Sequence, residues 1–195
     1  MTNSSQVNKL SLDIVLAKRI NTERGIIYLY RLLNYKNHLS KLGKLHLQKA
    51  IVTLILNNIL DNSYILTHHE SGSPVLENKS FKEVSISHSH GYFAVYLAYE
   101  EAVGVDLEIK RTINHDGFGY FLNENEIKQS WSDSELLSIW CAKEAYYKLK
   151  KGEIYDLRLD VTVTGILNGI ISVKTVDEYL TFNIIEENNY TLVYS

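Results

Sequence analysis

Along the front of the chain, apolar residues recur at helical spacing. Leu29, Leu32 and Leu33 do so, as do Ala50, Leu54 and Leu60 within KAIVTLILNNIL, and together they predict helix from about Leu10 to Leu60. A polar stretch, HHESGSPVLENKS, reads as loop. Beyond it the period changes to two. Val84 and Ile86 alternate with serines, Tyr92 to Tyr99 is dense in strand-forming residues, and Val103 to Glu108 alternates again. Helix returns from His115 to about Gly152, with Ser132 and Glu135 in capping-box spacing at the start of SDSELLSIWCAKEAYYKLKK. The tail reads as an antiparallel meander. DVTVTGIL and IISVKTV flank Asn168-Gly169, a type I′ hairpin signal, and YLTFNII and YTLVY follow. Helices then sheet, twice over, predicts an α+β fold of two halves of similar plan, residues 1–101 and 102–195.

Composition narrows the class. The 195 residues are 45% apolar and 22% charged, enough to bury a core without disulfides or a structural metal. A single cysteine, Cys141, permits no internal disulfide and points to a reducing, cytoplasmic setting. No apolar run is long enough to span a membrane, and MTNSSQVNKL lacks the pattern of a signal peptide. A net charge of −3 does not announce a nucleic-acid binder. Its distribution says more. Residues 1–80 hold ten of the 20 basic and five of the 23 acidic residues, so the front is basic and the back acidic. That asymmetry either seats a polyanion beside a carboxylate cluster or is chance on a solvated surface.

Three segments carry candidate chemistry. In Gly104-Val105-Asp106-Leu107-Glu108, strand alternation turns Val105 and Leu107 with Val103 into the core and puts Asp106 and Glu108 on the other face, roughly 6–7 Å apart. Gly104 on that face leaves room for a ligand, and two carboxylates so spaced suit Mg²⁺ or Mn²⁺; the alternative is an acidic solvent face. On a helix, Leu137, Trp140, Cys141, Glu144 and Lys148 share one stripe. Glu144 and Lys148 then face either a cleft, where a carboxylate needs a partner, or solvent as an ordinary ion pair. Ser87-His88-Ser89-His90 ends a strand and suits either a phosphate-binding turn, a histidine metal site or a plain polar turn.

In order, Gly72-Ser73-Pro74, Ile86-Ser87-His88-Ser89, Gly104 to Glu108 and Trp140 to Lys148 resemble the Sfp-type 4′-phosphopantetheinyl transferases, with Asp106 and Glu144 38 positions apart. The resemblance covers residues 71–148 closely and the flanks in layout. It implies a pseudo-dimer of two α+β halves, each with helices packed on an antiparallel sheet, acting as a monomer with coenzyme A bound between them. It also implies Mg²⁺-dependent transfer of the phosphopantetheine arm to a serine of an apo acyl or peptidyl carrier protein, releasing adenosine 3′,5′-bisphosphate. By resemblance Asp106, Glu108 and Glu144 bind the metal, Lys148 stabilises the departing phosphate, and Glu144 or Glu126 is the general base. Ser87, His88, Gly72, Ser73 and Pro74 contact coenzyme A. Two departures stand out. Ser73 replaces the family's lysine in G-K-P, and the front-half arginine is missing, with Gln48, Lys49 and Lys44 nearby. Lys44 or Lys49 stands in for it. The rival readings are a coenzyme A-binding protein without transfer and a metal-dependent hydrolase built on His88, His90, Asp106 and Glu108.

Overall fold

The computed structural model describes residues 12–113 and 117–195. In chain order the elements are β1 (Ile14–Asn21), β2 (Gly25–Leu32), α1 (Tyr35–Leu42), α2 (Lys44–Leu60), β3 (Ile65–His68), β4 (Pro74–Glu77), β5 (Glu83–Ser89), β6 (Tyr92–Ala98), β7 (Val105–Ile109), α3 (Phe118–Phe121), α4 (Glu124–Ile127), α5 (Asp133–Leu149), α6 (Leu157–Asp160), β8 (Thr162–Leu167), β9 (Ile170–Lys174), β10 (Tyr179–Glu186) and β11 (Tyr190–Tyr194). The architecture is α+β. One antiparallel sheet runs β1-β2-β6-β5, a second runs β7-β11-β10-β9-β8, and β3 pairs with β4. Each large sheet packs against a single 17-residue helix, α2 on the first and α5 on the second.

The front departs from the helical expectation. Residues 14–32 are the β1–β2 hairpin, and helix begins only at Tyr35; Leu10 lies outside the described residues. The physical reason is burial on both faces. Ile26, Tyr30 and Leu32 pack under α2, while Ile27 and Leu29 face the second sheet. A strand covered on both sides keeps no polar alternation, and its leucines then mimic a helical stripe. On α2 the buried residues are Leu47, Ile51, Ile55, Leu56 and Leu60, a stripe displaced from Ala50 and Leu54, which are half-buried. The polar loop also contains β4 and the turn that pairs it with β3.

Elsewhere the expected elements form. Ser132 caps α5 with Glu135 in a reciprocal capping box. Asn168 and Gly169 have φ of 51° and 75°, the left-handed pair that a type I′ turn requires. His90-Gly91 does the same between β5 and β6, with φ of 45° and 90°. The predicted helix 115–152 is broken into α3, α4 and α5, and His115 lies outside the described residues. Among the described residues no helix is long and apolar enough to cross a membrane.

The two sheets meet at a seam. Ile27, Leu29 and Tyr96 of the first pack against Val105, Leu107 and Leu192 of the second, all fully buried. Along that seam the edge strands β5 and β7 lie side by side, joined through side chains. The Oγ of Ser85 accepts from Val105 N at 3.1 Å, Ser87 Oγ from Leu107 N at 3.1 Å, and Ser89 Oγ from Ile109 N at 3.4 Å. Serines two residues apart thus satisfy alternate N–H groups of an edge strand that would otherwise lack partners.

Candidate active site

The site stands where β7, α5 and β5 converge. As the alternation predicts, Val103, Val105 and Leu107 enter the seam core, and Gly104, Asp106 and Glu108 occupy the opposite face. That face is covered rather than solvated. The space beside Gly104, expected for a ligand, is filled by α5: a Cβ there would lie 1.9 Å from the Ala145 carbonyl oxygen and 3.2 Å from Leu149 Cβ. Gly104 therefore brings the helix backbone against the strand, and Glu144 and Lys148 come with it.

Asp106 is 5% exposed. Its Oδ1 accepts from Ser87 Oγ at 2.7 Å and from Lys148 Nζ at 2.6 Å. Its Oδ2 is buried and has no hydrogen-bond partner. Glu108 Oε2 accepts from Ser89 Oγ at 2.8 Å. Lys148 Nζ also donates to Val105 O at 3.2 Å. Glu144 is half-buried one turn before Lys148; burial, then the Asp106 charge, raise its carboxyl above the ordinary 4.5, with Glu108 adding to the rise and Lys148 opposing it. Burial, reinforced by Asp106 and Glu108, holds the Cys141 thiol well above its usual value, so it stays a protonated packing group.

Three carboxylates therefore act on one another around a single lysine. Among the described residues no three His, Cys, Asp or Glu side chains already gather into a group that could hold a metal ion as they stand. The donor set nevertheless fits a hard divalent cation. Asp106 Oδ2 is a buried anionic oxygen without a partner, and Glu144 is destabilised by two neighbouring charges that a cation would offset.

A trough leads away from this point in three connected compartments. The first, about 210 Å³, lies between Gly72, Pro74 and Ile86 on one side and Tyr147, Lys148 and Lys151 on the other. The second, about 550 Å³, shares Gly72, Pro74 and Ile86 and is walled by Gln48, Lys49 and Val52 of α2. The third, about 400 Å³, joins Lys44, Gln48 and His88 to Glu108 and Arg111. His88 stands at the junction, 3.3 Å from Gln48 Nε2. Partial burial of its ring, then the Lys148 and Lys44 charges, lower its pKa against the pull of a backbone hydrogen bond and of Asp106, so the imidazole is neutral between cations. Lys44, Lys49, Lys148, Lys151 and Arg111 line the trough, with Glu83 and Glu108 among them.

The structure brings Asp106, Glu108, Glu144 and Lys148 together, and lines the trough with Glu108, Lys148, His88, Gly72, Ser73, Pro74, Lys44 and Lys49. Two residues are placed otherwise than expected, Glu126 outside the site and Ser87 within it on Asp106. Glu126, weighed as a base, is 0% exposed, and its capping-box position consumes both oxygens: Oε2 accepts from Asn123 N and Lys143 Nζ, and Oε1 from Val163 N at 2.7 Å. It is part of the second half's core and has no access to a substrate hydroxyl. Ser87, expected on a coenzyme phosphate, is 5% exposed and gives its one proton to Asp106, so it has none for a ligand. His90 is a turn residue. Sequence reasoning missed Arg111, three positions after Glu108, and Lys151, which faces the Gly72-Ser73-Pro74 turn across the first compartment. It also missed the role of Lys143, whose ammonium is fully buried on Glu126 and Phe121 O.

Taken as chemistry, this is an α+β protein whose basic trough ends on a carboxylate cluster beside a lysine, an arrangement suited to a metal-bound phosphoryl substrate. Residues 102–192, which run from just ahead of β7 into β11, match the family model of the 4′-phosphopantetheinyl transferase superfamily, and the match supports that superfamily for this chain. No curated protein matches the chain.

Proposed function

We propose that the protein is an Sfp-type transferase that moves the 4′-phosphopantetheine arm of coenzyme A onto a serine of an apo acyl or peptidyl carrier protein, with Mg²⁺ or Mn²⁺ as cofactor. The observation that carries this reading is Asp106: one oxygen tied to Ser87 and Lys148, the other buried and bare, with Glu108 and Glu144 beside it. Asp106, Glu108 and Glu144 would hold the cation, which when bound neutralises the diphosphate and the charge that develops on it. The trough suits the rest of the coenzyme. Lys44, Lys49 and His88 offer its phosphates positive or neutral donors, and the Gly72-Ser73-Pro74 turn borders the compartment next to Lys148. Lys151 lines that compartment opposite Ser73, its ammonium bonded to Glu83 Oε1 at 2.8 Å, and would exchange that bond for one to a phosphate.

In the reaction, the carrier serine oxygen forms a bond to the phosphorus that bears pantetheine. The bond from that phosphorus to the bridging oxygen breaks, and adenosine 3′,5′-bisphosphate departs with the electron pair. Glu144 takes the serine proton; burial and the Asp106 charge raise its carboxyl above the ordinary value, which suits it to accept one. Lys148 sits within reach of the leaving phosphate and exchanges its bond to Asp106 for one to that oxygen. The halves 1–101 and 102–195 would act as a monomeric pseudo-dimer with the coenzyme between them.

The test is transfer itself. Purified protein, coenzyme A, Mg²⁺ and a panel of apo carrier proteins are incubated and scored by intact-protein mass spectrometry. A gain of one phosphopantetheine on a carrier, absent with EDTA and in Glu144→Ala, is the expected result. Coenzyme A binding without any gain would make the chain a binding protein.

A further inference from the structure

The seam between the sheets does more than join them. Ser85, Ser87 and Ser89 make one type of bond to β7, yet only the last two also meet a carboxylate. A hydroxyl has one proton to donate and lone pairs to accept. In Ser87 the proton is on Asp106 Oδ1 at 2.7 Å while the oxygen accepts from Leu107 N, the amide next along the chain. In Ser89 the shortest contact is the bond donated to Glu108 Oε2 at 2.8 Å; the oxygen accepts from Ile109 N, again the next amide, and also lies 3.3 Å from His90 Nδ1. Each hydroxyl is fixed by a backbone group of β7 and in turn fixes the side chain that precedes it. The two-residue repeat of β5 places the serines in step with the two-residue repeat of Asp106 and Glu108.

We propose that Ser87 and Ser89 are positioning residues for the cation-binding carboxylates, holding Asp106 and Glu108 so that one oxygen of each is turned to the ion. The proposal rests on the functional reading above, which makes those carboxylates metal ligands. It assigns the hydroxyls of Ser87 and Ser89 to the carboxylates, and leaves His88 between them to the trough. The hold on Asp106 matters most once the ion is bound: Lys148 then turns to the leaving phosphate, and Ser87 remains as the partner of Oδ1. A bond from a neighbouring hydroxyl to a ligating carboxylate orients it before the metal arrives, and losing such a partner costs metal affinity.

Ser85 provides the control, because it accepts from Val105 N at 3.1 Å in the same seam without a carboxylate. Mn²⁺ binding is measured by the free-ion electron paramagnetic resonance signal for the wild type, Ser85→Ala, Ser87→Ala and Ser89→Ala, with a thermal melt of each. Ser87→Ala and Ser89→Ala are expected to bind Mn²⁺ roughly 10- to 100-fold more weakly. Ser85→Ala is expected to lower the melting temperature as they do and leave Mn²⁺ affinity unchanged. Wild-type affinity in both Ser87→Ala and Ser89→Ala, or an equal loss in Ser85→Ala, overturns the proposal and leaves the functional reading intact. If Ser87→Ala does not fold, Ser89→Ala carries the same comparison through Glu108. A wild-type protein that binds no Mn²⁺ removes the functional reading, and the positioning role falls with it.

Discussion

Two glutamates of the second half end in opposite roles because their surroundings differ. Glu126 has every oxygen committed, with Lys143 Nζ at 2.7 Å and neither side chain exposed. Breaking such a pair strands a buried charge, so Lys143→Ala should cost on the order of 3–5 kcal/mol of stability, measured by denaturant unfolding. Any activity lost in Glu126→Gln should track the folded fraction; a fully folded but inactive Glu126→Gln would restore it as the base. Burial, then the Asp106 charge, raise the Glu144 carboxyl above its ordinary value. The folded form therefore binds this proton more tightly than the unfolded chain does. Its contribution is most favourable below pH 4.5, the ordinary value, and falls as pH rises from there toward the raised folded pKa. In EDTA, Glu144→Gln should thus melt above the wild type at pH 7, with the gap closing toward pH 4.5. Saturating Mn²⁺ should reverse the order. A gap that is constant with pH would contradict this assignment.

At the scale of elements, the site depends on how closely α5 can approach β7. A Cβ at Gly104 would lie 1.9 Å from a backbone oxygen, which no side-chain rotation relieves. Gly104→Ala should cost roughly 1–3 kcal/mol and weaken Mn²⁺ binding together, because the shifted helix carries Glu144 and Lys148 away from Asp106. Gly165→Ala, with nothing within 4 Å of the added carbon, is the matched control in β8. The elements most legible in the sequence were those whose cause is local: the Ser132 cap, the Asn168-Gly169 turn, and the alternation that separates Asp106 from Leu107. Those that depend on distant neighbours were not. β2 lost its alternation to a second sheet that packs on it from the C-terminal half, and Glu126 looked free because Lys143 and the Val163 amide lie far along the chain. Ser87 looked like a ligand contact for the same reason, since its acceptor comes from the other sheet.

Across the whole molecule, the charge asymmetry of the two halves acquires a place. The basic helices of the front supply Lys44 and Lys49 to one wall of the trough, and the acidic back supplies Glu108, with Asp106 and Glu144 as its neighbours. The two contributions should separate experimentally. The double variant Lys44→Ala and Lys49→Ala should weaken coenzyme A binding in calorimetry, more at low salt than at high, and leave Mn²⁺ affinity in the absence of coenzyme untouched. Asp106→Asn should do the reverse, abolishing Mn²⁺ binding. The proposed function requires the coenzyme's diphosphate to meet the cation at the seam carboxylates. It is tested most directly by phosphorus magnetic resonance of coenzyme A in the presence of the protein and substoichiometric Mn²⁺. The diphosphate resonances should broaden far more than the 3′-phosphate resonance, and Asp106→Asn should abolish the difference. Equal broadening of all three phosphates, or the same selective broadening in Asp106→Asn, would contradict it.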